Sequence, residues 1–152
     1  MGSNNTNIFT LLCFVAILCS LISCINGIPF LWDKWTLHVK NGIQNSPNQL
    51  YVHCKSKNDD FGEHYLSYNQ EVHWKFGTSI FGKLTHFTCD LKWGDKGRSF
   101  DAFVDGVETN ACDRTSSAYW FACEDGIYFS CKDETGKKRC AWDPNVECDG
   151  PY

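Results

Sequence analysis

The stretch Thr85-His86-Phe87-Thr88-Cys89-Asp90-Leu91-Lys92-Trp93 decides the fold. Phe87, Cys89 and Leu91, flanked by Thr85 and Trp93, alternate with His86, Thr88, Asp90 and Lys92. A period of two sends one set of side chains to a core and the other to water, so the segment predicts a half-buried strand. The run stops at Gly94-Asp95-Lys96-Gly97, a cluster of turn formers. Phe100, Ala102 and Val104 then resume the alternation as far as Asp105-Gly106.

The same period extends in both directions. Upstream, Trp35, Leu37 and Val39 alternate with Thr36, His38 and Lys40. Leu50, Val52 and Cys54 alternate with Tyr51, His53 and Lys55, and Val72, Trp74 and Phe76 with His73 and Lys75. Downstream, residues 118–123 and 127–131 flank Asp125-Gly126. Asn45-Ser46-Pro47-Asn48 and Asn58-Asp59-Asp60 read as turns, with His64 in or just after the second loop. No window sustains a 3.6-residue apolar period. Seven or eight strands at this spacing predict an all-β protein, a small antiparallel β-sandwich stabilised by disulfides. The tail from Lys132 is charged and polar and predicts a loop-rich C-terminal extension.

Ahead of the strands the chain is apolar over 8–25, and its first charged side chain is Asp33. An apolar core followed by small residues is the pattern of a signal peptide, read over 1–27 with cleavage after Gly27 or, alternatively, after Ser23. A retained anchor and N-myristoylation at Met1-Gly2 are the rival readings. The organisation expected is a signal peptide (1–27), a sandwich domain (28–131) and a cysteine-containing extension (132–152). The product is expected to be secreted and extracellular, with no membrane insertion after cleavage.

The net charge of −4 offers no electrostatic reason to bind nucleic acid or anionic lipid. Of the 10 cysteines, Cys54, Cys89, Cys112, Cys123, Cys131, Cys140 and Cys148 follow the leader. In an oxidising compartment they are candidates for a disulfide framework. The set is odd, so one thiol stays free, joins another chain, or pairs with Cys24 if cleavage follows Ser23. No C-x-x-C pair is present, and neither a metal nor a cofactor is expected.

His38, His53, His73 and His86 fall on the polar phases of their strands, the ordinary place for solvent-facing histidine. No Ser or Cys sits in a nucleophile motif, and there is no phosphate-cradling glycine loop or EF-hand spacing. No catalytic residue is therefore assigned, and the chain is not expected to be an enzyme. Asp95, Lys96 and Arg98, with Asp105, Asp113 and Arg114, carry mixed charge in segments read as loops at the sheet ends. They are the candidates for receptor contact, since binding is commonly placed on loops of a rigid scaffold.

The block Leu50-Tyr51-Val52-His53-Cys54-Lys55-Ser56-Lys57-Asn58-Asp59-Asp60-Phe61-Gly62-Glu63-His64-Tyr65-Leu66 resembles the plant self-incompatibility S-protein family, the S-protein homologues. Val39-Lys40-Asn41 before it supports the resemblance, as do the F-x-C…W strand and Glu124-Asp125-Gly126-Ile127-Tyr128 after it. It covers about residues 35–128. The resemblance implies a secreted antiparallel β-sandwich whose founding members are pistil determinants, recognised by a pollen membrane receptor in the rejection of self pollen. It therefore implies a non-enzymatic signalling ligand for a cell-surface protein, acting as a monomer, with an intermolecular disulfide left open by the odd cysteine. A secreted defence or inhibitor protein acting on a foreign macromolecule is the alternative. Cys54 and Cys89, and with them Cys112, match the family's core cysteines. Ala118 stands where the family has its next cysteine, and Cys131, Cys140 and Cys148 lie beyond the usual terminus, so the pairing stays open.

Overall fold

Alternating apolar residues fold back on one another because each strand has a single face to bury. The computed structural model describes residues 32–79, 84–112 and 115–149. The signal-peptide reading over 1–27 and the loop candidates Asp113 and Arg114 lie outside the described residues. In chain order the elements are β1 (Trp32–Asn41), β2 (Leu50–Lys55), β3 (Asp60–Leu66), β4 (Glu71–Ser79), β5 (His86–Trp93) and β6 (Lys96–Val104). After them come a one-turn helix α1 (Glu108–Ala111), β7 (Ser117–Cys123), β8 (Gly126–Ser130) and β9 (Lys137–Cys140).

The strands form two sheets, one ordered β4-β1-β7-β8-β9 and the other β3-β2-β5-β6. Every neighbouring pair is antiparallel except β1 with β7, which run parallel. Trp35, Leu37 and Val39 from the first sheet and Val52, Cys54, Phe87, Cys89 and Leu91 from the second are buried in one core. Ring contacts close the gap between the layers, with Trp35 against Phe103 at 5.3 Å and Phe100 against Trp120 at 4.6 Å. Trp120 Nε1 also donates to the Ala102 carbonyl at 2.8 Å, so the buried indole is satisfied across the sandwich.

Two details depart from the alternation read above. Residues 60–66, which show no alternation in the sequence and follow the turn read at Asn58-Asp59-Asp60 with His64 in or just after it, form edge strand β3. Its polar, glycine-bearing sequence hides the pattern because mainly Leu66 is buried, although Phe61 stacks on Trp74 and Phe87 at 4.9 and 4.7 Å. In β6 the pairing passes from Phe87↔Phe103 to Thr88↔Asp101, leaving Ala102 as the extra residue of a β-bulge. The phase therefore flips, and Phe103 rather than Val104 turns fully inward.

Among the described residues three disulfides bind the framework: Cys54–Cys89 across β2 and β5, Cys112–Cys131, and Cys140–Cys148. The free thiol among the described residues is Cys123. The extension from 132 is loop for most of its length but adds β9 to the sheet edge and buries Arg139, Cys140 and Trp142. Among the described residues no helix is long and apolar enough to cross a membrane.

Candidate functional site

The β5–β6 hairpin turns in only two residues, Gly94 and Asp95, because Gly94 adopts φ +62° at the first central position, where a tight hairpin needs it. Lys96 and Arg98 consequently lie on β6 and not in a loop. Both are tied to distant segments. Lys96 Nζ donates to the Glu124 carbonyl at 2.9 Å and sits 4.8 Å over the Trp93 ring. Arg98 donates to the Asp143 carbonyl at 2.7 Å and to Cys148 Sγ at 3.1 Å. Its Nε is buried and has no hydrogen-bond partner among the described residues.

These bonds gather three distant segments at one end of the sandwich: the hairpin tip, the β7–β8 turn at Glu124-Asp125, and residues 143–148 of the extension. Trp142 fastens the last of these by donating from Nε1 to the Cys123 carbonyl at 2.8 Å, with its ring 6.3 Å from Trp93. Asp95, Glu124 and Glu147 remain exposed there. Asp125 is held by Tyr128 Oη at 2.7 Å and Lys138 Nζ at 3.2 Å. The Tyr128 hydrogen bond, followed by Lys138, lowers its pKa below the ordinary carboxylate range. The end is thus an acid-rich rim whose three segments are tied to one another by hydrogen bonds.

Between β6, α1 and the extension runs a cleft of about 670 Å³ lined in part by Arg98, Asp101, Glu108, Arg139 and Cys148. Glu108 is buried, and its carboxylate accepts from the Val104 N–H at 2.6 Å. Burial raises its pKa, opposed by that hydrogen bond and by Arg139. Arg139 Nε donates to the Asp149 carbonyl at 3.0 Å. Asp105 sits at the far end of β6, where Thr109 Oγ1 donates to it at 3.5 Å. It is therefore separated from Asp95, Lys96 and Arg98 along the whole strand.

Histidines pair with carboxylates on both sheets. His53 Nε2 meets Asp60 Oδ1 at 2.7 Å, and His86 Nε2 meets Asp101 Oδ1 at 2.7 Å. Thr88 Oγ1 also donates to Asp101 Oδ1, at 3.4 Å. On the other sheet His38, Glu71 and His73 converge. Glu71 carried no signal in the sequence reading, because only the β1–β4 register brings it to His38. Cys123 is half-buried, and burial, then Asp125 and Glu124, push its thiol pKa up. That suppresses the thiolate needed for exchange with another chain.

Comparison with known proteins gives a consistent result. The model of a family described as plant self-incompatibility protein S1 matches residues 36–142. S-protein homolog 5 of Arabidopsis thaliana is 36% identical over 57% of this chain and 66% of its own length. S-protein homolog 21 of Arabidopsis thaliana is 36% identical over 76% of this chain and 84% of its own length. S-protein homolog 7 of the same plant is 32% identical over 74% and 84%. No solved structure matches the chain at a significant level.

Proposed function

Because the chain belongs to the plant self-incompatibility protein S1 family, we propose that it is an exported, non-enzymatic signalling ligand read by a cell-surface protein. Three disulfides fit a chain that matures in an oxidising compartment. The observation that carries the reading is the acid-rich rim. Asp95, Glu124 and Glu147 come from three segments that Lys96, Arg98 and Trp142 lock together. A surface held this firmly loses little conformational freedom on docking. Its charge suits a partner that presents a basic patch, with long-range attraction speeding encounter.

The test is saturable binding of the labelled protein to plant cell membranes at several salt concentrations. Replacing Asp95→Asn, Glu124→Gln and Glu147→Gln together is expected to slow association at least tenfold and flatten its salt dependence. Unchanged association by the folded triple variant would remove the rim from the reading. Arg98 is left intact in this test, because its bonds to the extension make it part of the scaffold.

A further inference from the structure

His38 and His73 face each other directly across the β1–β4 ladder, with ring centroids 5.4 Å apart. Glu71 precedes His73 by two residues and so projects from the same face of β4. Its Oε1 lies 2.7 Å from His38 Nδ1 and 3.5 Å from His73 Nδ1. No two of the three ligand atoms are more than 4.8 Å apart. We propose that His38, Glu71 and His73 form a binding site for a divalent transition metal of the zinc type.

The donor chemistry is two imidazoles and a carboxylate, a set that leaves one tetrahedral position open. With metal–ligand bonds of roughly 2.0–2.2 Å, tetrahedral donors lie about 3.4 Å apart. The His38–Glu71 contact at 2.7 Å must therefore open slightly, and the widest pair, within 4.8 Å, must close by at most about 1.4 Å. His73 can supply that movement, since its side chain is 55% exposed, against 13% for His38. Both rings would bind through Nδ1 and keep their proton on Nε2.

Two neighbours prepare the site. Tyr119 on β7 lies opposite His38 and stacks on its ring at 3.9 Å with planes 12° apart, fixing the least mobile ligand. Lys40, which the register places opposite Glu71, turns its ammonium to Asp133 at 3.0 Å. The carboxylate therefore stays with the histidines. The open fourth position faces solvent, where water or a donor atom from a docking partner completes the shell.

The experiment is calorimetric titration of the full protein with ZnCl₂ at neutral pH. It uses a Cys123→Ser background so that the free thiol cannot contribute. One saturable equivalent is expected, weakened at least tenfold by His73→Asn and by Glu71→Gln and unaffected by His86→Asn. His73 is exposed, so its replacement keeps the fold; circular dichroism checks this. Absence of saturable binding, or binding that survives His73→Asn, overturns the assignment.

Discussion

Removing the Cys54–Cys89 bridge tests the framework most directly. The two residues are 35 apart in sequence and lie opposite each other on β2 and β5. Closing a loop of that length restricts the unfolded chain by about 4 kcal/mol on a chain-entropy account. Both cysteines are fully buried, so the double variant Cys54→Ala/Cys89→Ala also leaves a void where two sulfur atoms packed, and the loss is expected to reach at least that value. The Cys140–Cys148 bridge spans only 8 residues, for which the same relation gives about 2.5 kcal/mol. Urea unfolding followed by tryptophan fluorescence, in a Cys123→Ser background to prevent thiol exchange, reads both losses. Against a typical domain stability of about 5–15 kcal/mol, the larger one removes a large share of the margin that keeps the chain folded. If removing Cys140–Cys148 costs more than removing Cys54–Cys89, loop closure does not set the stability of this sandwich.

Two further outcomes follow from the buried groups and close contacts. Burial raises the Glu108 pKa in the folded chain, so the folded state holds that proton more tightly than the unfolded one. The resulting stability is fully present below the unfolded pKa and is lost as pH rises through the folded value. The stability of Glu108→Gln relative to the parent is therefore expected to fall as pH drops from 7 into the acid range; parallel pH profiles for the two proteins would refute this. At Gly136, an added Cβ would overlap the Phe129 carbonyl oxygen and crowd Ser130 Cβ at 2.8 Å. Gly136→Ala is expected to cost about 1–3 kcal/mol and to loosen β9, read as faster amide exchange at residues 137–140. Unaltered exchange there would show that the edge strand does not depend on this close approach.

The interior of the sandwich was legible wherever one face of a strand is buried and the other wet. Leu50, Val52 and Cys54, and Phe87, Cys89 and Leu91, occupy the core as their alternation predicts. The edge strands were not legible. In β3 only Leu66 is fully buried, and in β9 the two buried residues, Arg139 and Cys140, are adjacent and one is charged, so neither strand carries a period-2 apolar signal. The bulge opposite Phe87–Thr88 was also invisible, because its cause is pairing between strands and not the composition of β6. Asn41 shows the same limit. It is 1% exposed, and its side chain is satisfied by the Leu66 carbonyl and the Ile43 N–H. Nothing in Val39-Lys40-Asn41 alone indicates that those partners will be there.

The charged residues show why site prediction fails more readily than core prediction. A run such as Gly94-Asp95-Lys96-Gly97-Arg98 looks like a loop because it is rich in turn formers, yet a tight hairpin consumes only Gly94 and Asp95. The remaining three residues extend β6, which turns Lys96 and Arg98 toward carbonyls from segments 28 and 45 positions away in the chain. Lys96 and Arg98 keep their charge but give these hydrogen bonds to backbone oxygens, while Asp95, Glu124 and Glu147 stay exposed to water at the same end. The gathering of these acids at one end is thus a product of long-range pairing, in a chain that as a whole is only mildly acidic. The same reasoning applies to His38, Glu71 and His73. There Lys40 is drawn off to Asp133, and what remains is a donor set that neither β1 nor β4 encodes by itself.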